Sequence, residues 1–421
     1  MLRFVPPAGV PVEVGHLIRA FGQALLQGGA SKRTLPRVAE YFHVGHVFAA
    51  SSGRAALCIL LQALHALRPD RNLVVVPAYT CYSVPASVAR AGLKLHPVDI
   101  DPETLDYDFP ALEGLSGSSI LCILTSNLFG LPSDTERIAR IAGAKGAFAV
   151  DDAAQAMGAS RNGRLAGTLG DAGLFSLARG KALAAGGGLL VTSDDRIAEA
   201  VRTRLRELPD GSFAQAPMAF LENLAITFLL RPRCYWLPNA IPMLKLGVTE
   251  FDPGFPVRPM SGFTQALLGI LIPELDELNR VRRQNAQQLL STLPKGLAFR
   301  SPEPGAHSTP IYLRLPLLAS DTGLRDRALA RLKAAGIGAS SYYPGAVCDI
   351  GGIQAHLAAP GLHFPRAESV AQRILTLPTH PLVEKADLQR MAGILADCSQ
   401  EVSALPARVG SDAGTALAGR E

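Results

Sequence analysis

Residues 147–195 read AFAVDDAAQAMGASRNGRLAGTLGDAGLFSLARGKALAAGGGLLVTSDD. The stretch opens on a short apolar run, Phe148–Val150, that ends in two acids, Asp151 and Asp152. A turn-rich segment follows. A second short strand, Gly173–Leu177, runs out into Ala178–Arg179–Gly180–Lys181. The glycine triplet Gly186–Gly188 then leads into the apolar run Leu189–Thr192.

An acid at one strand end and a lysine just past another can do two complementary jobs. The acid can pair with a protonated pyridine nitrogen, and the lysine can form a Schiff base with an aldehyde. Together they specify a site for pyridoxal phosphate (PLP).

The flanking sequence supplies the setting. Val12–Leu26 and Leu35–Phe42 read as helices. Val47–Ala50 reads as a strand that stops at Ser51–Ser52–Gly53, and Arg54–Leu67 as a buried helix. Strand, small-residue turn and helix N-terminus form an anion-binding arrangement, with Arg54 as an added cation. Asn72–Val76, Leu93–Val98 and Ser119–Leu124 are further apolar strands, separated by helices at Ser83–Ala91 and Asp134–Ala142. Such alternation predicts a mostly parallel sheet covered on both faces. Ligands in these sheets sit beyond the carboxyl ends of the strands. Ser52, Tyr79, Asn127, Asp152 and Lys181 all fall at or just after a predicted strand end.

Asp99, Asp101, Asp106 and Asp108 lack EF-hand spacing and read as a solvated loop. No metal site is indicated. A second, α+β domain follows, with a helix or two over Gly262–Leu293, a strand at Ile311–Leu315 and helices at Asp321–Ala335, Ala367–Ile374 and Glu384–Leu395. The boundaries are 1–250 for a large α/β domain, 251–398 for the smaller one, and 399–421 for a disordered tail rich in Ala, Gly and Ser.

Composition narrows the function. The chain has 421 residues, 48% apolar and 18% charged, enough for a sizeable core. A net charge of +5 without a long basic run, and 6% aromatics, argue against nucleic-acid binding. Six dispersed cysteines with no CxxC spacing read as buried free thiols in a reducing compartment. With no signal peptide in MLRFVPPAGVPVEV, a cytoplasmic location is expected. Residues 216–247 are rich in Leu and Phe and hold the single tryptophan, Trp236. They read either as a helical segment under a lid or at a subunit interface, or as a peripheral membrane or partner contact.

Several segments together resemble the DegT/DnrJ/EryC1/StrS family of PLP-dependent sugar aminotransferases. These are Asp152–Ala153–Ala154–Gln155–Ala156, FSLARGKAL with Lys181, the glycine triplet, VTSDD, Ser51–Ser52–Gly53, Val76–Pro77–Ala78–Tyr79–Thr80, Pro97–Val98–Asp99–Ile100–Asp101, KAAGIGASSYYP and RILTLPTHP. They occur in the family's order over about residues 1–397. The resemblance implies the aspartate aminotransferase fold (fold type I) and a homodimer. It implies a small-molecule amino donor, with glutamate expected, and a keto-sugar acceptor, nucleotide-linked, on the way to amino sugars, polysaccharides or secondary metabolites.

By the same resemblance Lys181 is catalytic and Asp152 faces the ring nitrogen. Gln155 lies by the phenolic oxygen, and Ser52, Gly53 and Ser176 bind the phosphate. Arg54 and Tyr79 join the cofactor set. Asn127, Arg258, Tyr343 and His380 are expected on the substrate side. Asp151 is expected as a helix cap or solvated turn acid. Departures accompany the match. Arg54 stands where the family has Thr, Cys81 where an aromatic stacks on the ring, and Asn127–Leu128–Phe129–Gly130 where a His–x–Tyr–Gly loop is usual. The Asn–x–Arg element that reaches a neighbouring subunit survives only as Arg258. Two alternatives follow: a protein that kept the fold as a binding scaffold, or a PLP dehydratase or lyase. The family's dehydratases carry histidine in place of the lysine, so Lys181 argues against that branch.

Overall fold

The computed structural model describes residues 3–10, 12–25, 29–209, 215–239 and 250–404. Its centre is a seven-stranded sheet: β1 (His46–Ala50), β2 (Leu73–Pro77), β3 (Lys94–Val98), β4 (Ile120–Leu124), β5 (Phe148–Asp152), β6 (Ala172–Ser176) and β7 (Gly188–Thr192). The strand order is β1-β7-β6-β5-β4-β2-β3. From β3 to β6 all neighbours are parallel, while β7 runs antiparallel to both β6 and β1.

Both faces of the sheet are buried, and side-chain alternation divides its residues between two cores. Val74, Val76, Cys122 and Leu124 face one core; Val75 and Ile123 face the other. The first core is filled by helix Gly53–Leu67, of which nine residues are buried. Glycines permit the tightest approaches. A Cβ at Gly173 would lie 1.9 Å from the Gly167 carbonyl oxygen, and one at Gly188 would lie 2.6 Å from the Gly53 backbone.

The C-terminal unit is a three-stranded antiparallel sheet, Phe299–Arg300, Leu315–Ala319 and Ile374–Leu377, backed by helices Leu275–Thr292, Thr322–Ala334 and Lys385–Ala404. The N-terminal segment crosses to it: Val5 bridges Ile337, and Arg3 pairs with Asp387 at 2.5 Å.

Some expectations need correcting. The strand read at Ile311–Leu315 starts at Leu315, because Tyr312 takes a positive φ of 47° that breaks the extended run. Residues 399–404, expected in a disordered tail, belong to the last helix: Ser399 is buried there, and its hydroxyl accepts from Ala298 N at 2.9 Å. Residues 405–421 lie outside the described residues. The acidic loop is not all solvated. Asp106 is buried, and its carboxylate accepts from Asp134 N at 2.6 Å and Tyr107 N at 2.9 Å. Of the six free cysteines, Cys81 and Cys234 are only partly buried.

Candidate active site

The site forms where β1, β2, β4, β5 and β6 end. After β1, Ser52 caps helix Gly53–Leu67, its Oγ accepting from Ala55 N at 3.1 Å. The hydroxyl proton and the first amides of the helix remain to serve an anion. β6 ends on Ser176, so close to this turn that a Cβ on Gly53 would meet the Ser176 Cβ at 2.9 Å. The glycine triplet supplies the backing. Gly186 and Gly187 take φ of 90° and 81°, and Ser52 bridges Gly187.

These elements enclose an open cavity of about 580 Å³. Its wall includes Ser52, Gly53, Arg54, Asn127, Asp152, Gln155, Ser176 and Lys181. A second cavity of about 570 Å³, lined by Tyr342, Tyr343 and Arg314, shares Lys181 and Cys81 with the first. Lys181 therefore stands at the junction of the two.

Asp152 is buried at the exit of β5, where Ala154 N donates to its carboxylate at 2.9 Å. Burial raises its pKa to about 6, and the Lys181 ammonium opposes that rise. Gln155 is fixed from three sides. Its Oε1 accepts from Tyr342 OH at 2.9 Å and from Phe129 N at 3.1 Å, and its Nε2 donates to Tyr343 OH at 3.1 Å. Arg54 lines the cavity with its guanidinium 4.9 Å from the Phe255 ring centre.

Asp151 is neither a cap nor a solvated acid. It is completely buried. Its carboxylate accepts from Asn127 Nδ2 at 2.9 Å, Thr125 Oγ1 at 3.1 Å, Gly167 N at 2.7 Å and Leu169 N at 3.2 Å. Burial outweighs those bonds and holds its pKa above the ordinary range. Asn127 reaches the cavity wall, but its amide is spent on this network.

Three residues expected at the site line neither cavity. Tyr79 is fully buried and packs edge-on against Tyr343 at 5.6 Å; Thr80 and Cys81 line the cavity instead. The strand ends at Pro77, so its alternation no longer dictates which way residue 79 turns. His380 is 2% exposed, and its Nε2 lies 2.8 Å from the Pro6 carbonyl, so it fastens the N-terminal segment. Burial lowers its pKa to about 4, which keeps the ring neutral. Arg258 is exposed and its side chain does not line the cavity. Its carbonyl accepts from Ser51 N at 2.8 Å.

The structure adds residues that sequence reading missed. Arg282, 1% exposed, donates to the Ala182 carbonyl at 2.9 Å and so props the lysine loop from behind. Tyr342 holds a positive φ of 66° against the Gln155 side chain. Tyr342 was visible only as part of a motif. Arg282 sat unremarked in a charged helix.

The residues present suit PLP. They comprise a buried carboxylate, an amine at the cavity junction, and two serine hydroxyls around a cradle that a Cβ at Gly53 would fill. Fold and site together define a PLP-dependent enzyme of fold type I. The family model for the DegT/DnrJ/EryC1/StrS aminotransferase family matches residues 20–396, and the chain belongs to that family. Among curated relatives, a "pleiotropic regulatory protein" of Geobacillus stearothermophilus is 28% identical over 375 residues, covering 88% of this chain and 89% of its own. UDP-N-acetyl-3-dehydro-alpha-D-glucosamine 3-aminotransferase of Acidithiobacillus ferrooxidans is 26% identical, covering 88% and 89%. Among solved structures, E. coli GDP-4-keto-6-deoxy-D-mannose-3-dehydratase with bound hydrated PLP shares the fold. It aligns with a TM-score of 0.74 at 21% identity, covering 94% of this chain and 100% of that one.

Proposed function

We propose that this aminotransferase moves an amino group from an amino acid, glutamate, to a keto-sugar carried on a nucleotide, and that it works as a homodimer. The observation that carries the reading is the position of Lys181, shared by two cavities of different character. The first offers the acid and the anion cradle. The second offers Arg314, whose Nε is buried without a hydrogen-bond partner among the described residues and whose guanidinium lies 5.1 Å from the Tyr342 ring centre.

Asp152 would face the ring nitrogen of PLP. Ser52, Gly53 and Ser176 would hold its phosphate, and Gln155 would lie beside its phenolic oxygen. When bound, the cofactor supplies an aldehyde carbon and an electron sink. Lys181 Nζ would accept the proton from the donor α-carbon and, as the ammonium, hold it for return. Paired with a cationic ring nitrogen, Asp152 would be drawn back toward its ionised form. Arg314 offers the donor carboxylate a charged, planar partner. Dehydratases share this fold, so the fold does not decide between the chemistries. Lys181 favours amination.

The deciding experiment is an absorbance spectrum of the PLP-loaded protein, with and without glutamate, beside Lys181→Ala. A visible band that shifts with glutamate, and is absent or altered in the variant, supports the reading. Cofactor that binds but responds to no amino donor would sink it.

A further inference from the structure

Helix Gln215–Leu229 is apolar all round, a pattern that ordinarily means a buried helix. Here one side packs inward: Phe220 meets Phe21 at 5.0 Å and Phe263 at 6.2 Å. The opposite side is open. Met218, Leu221, Ala225 and Phe228 follow one another at helical spacing along the solvent face. Met218 is 68% exposed and Leu221 57%. The stripe continues into Trp236 and Leu237, and across to Ile18 and Leu25 on helix Val14–Leu25. Among the described residues, seven of the eight exposed large apolar side chains belong to these three segments; Leu67 is the other.

From these observations we infer that this face docks on an anionic lipid surface. The polar groups of the helix decide between lipid and protein. A protein interface carries roughly one hydrogen bond per 100–200 Å². The helix keeps little to offer one. Asn223 Nδ2 donates to its own Ala219 carbonyl at 2.8 Å, and Thr227 Oγ1 donates to Val12 O at 3.0 Å. Glu222, the one acid between residues 215 and 239, is paired with Arg179. A surface with its polar groups already satisfied suits a medium that offers none.

The charge supports the same occupant. Arg231 and Arg233, both exposed, stand between Phe228 and Trp236 in the chain, and neither has an ion pair among the described residues. Arginines beside exposed Trp, Phe and Leu can meet anionic headgroups while the apolar side chains enter the bilayer boundary. No helix among the described residues is long and apolar enough to cross a membrane, so the contact is peripheral. The face also borders the site. Arg179 lines the first cavity and Tyr235, next to Trp236, lines the second.

Trp236 is the only tryptophan and reports on the contact without a label. The full-length PLP-loaded protein is mixed with phosphatidylglycerol/phosphatidylcholine vesicles and with vesicles of phosphatidylcholine alone. Emission and co-sedimentation are then read at low and high salt. The expected result is a blue shift and at least tenfold more bound protein with the anionic vesicles, reversed by salt. Leu221→Glu and Phe228→Glu abolish both while leaving the visible cofactor band in place. Absence of binding to either vesicle overturns the inference, as does equal binding to both. It is also overturned if emission is already blue and concentration-dependent without lipid, and Leu221→Glu turns a dimer into a monomer. That result would assign the face to a second copy. None of these outcomes bears on whether glutamate shifts the cofactor band, so the proposed reaction stands or falls separately.

Discussion

The Asn127 side-chain amide donates both to the Asp151 carboxylate, at 2.9 Å, and to the Asp152 main-chain carbonyl, at 2.7 Å. One amide thus ties the buried acid, the backbone of the cavity acid and the exit of β4 into one network. Asp151→Ala would leave the Asn127, Thr125, Gly167 and Leu169 donors short of an acceptor. Stranded buried donors at about 1–3 kcal/mol for the first, and less for those that find water, predict a loss of ~3 kcal/mol or more. Urea unfolding measures it. A loss under about 1 kcal/mol would show that the network relaxes easily.

Asp152 gives a pH signature. Its folded pKa of about 6 lies above the ordinary 3.8 because of burial. A raised acid favours the fold below its unfolded pKa and loses that contribution as pH rises through the folded one. The cofactor-free Asp152→Asn protein should therefore be more stable than wild type at pH 8, by about 2–3 kcal/mol. The gain should shrink toward pH 5. The same variant should bind PLP more weakly. Denaturation at both pH values, with a PLP titration, checks the pair of effects; an unchanged difference across that range refutes the assignment.

Gly53→Ala tests the anion cradle. The new methyl would press on Ser176 at 2.9 Å, so one of the two must shift. PLP affinity should drop at least about tenfold, equivalent to roughly 1.4 kcal/mol. Fluorescence titration with PLP reads the effect, and an unaltered affinity would place the phosphate elsewhere.

Gln155 joins the β5 exit to two tyrosines of the C-terminal unit. Gln155→Leu strands Phe129 N and frees both hydroxyls, so a stability loss of about 2 kcal/mol is expected. Thermal unfolding without cofactor measures the structural part. Tyr342→Phe removes only the 2.9 Å bond and should cost about half as much.

Strand ends were readable from sequence because alternation and a sudden polar residue mark them. Ser52, Asp152 and Lys181 were found this way, and all three line one cavity. Parity fails once a strand stops, which is why Tyr79 is buried while Thr80 and Cys81 line the cavity. The four closest hydrogen-bond partners of Asp151 come from two separate segments, Thr125–Asn127 and Gly167–Leu169, and nothing local to the acid announces them. His380 sits in a family motif, yet its contact is Pro6, 374 residues away. Contacts of that range belong to the folded chain and leave no periodic trace.

β1 is the first strand of the sheet to be made, yet its partner is β7, with His46 opposite Thr192. On a ribosome adding about 5–20 residues per second, that edge waits on the order of ten seconds for its neighbour. Meanwhile helix Gly53–Leu67, apolar on nearly every side, has no finished sheet to cover it. The nascent chain thus passes through a long exposed interval and is expected to need a holding chaperone. Protease digestion of chains stalled before and after residue 192 would reveal when that interval closes.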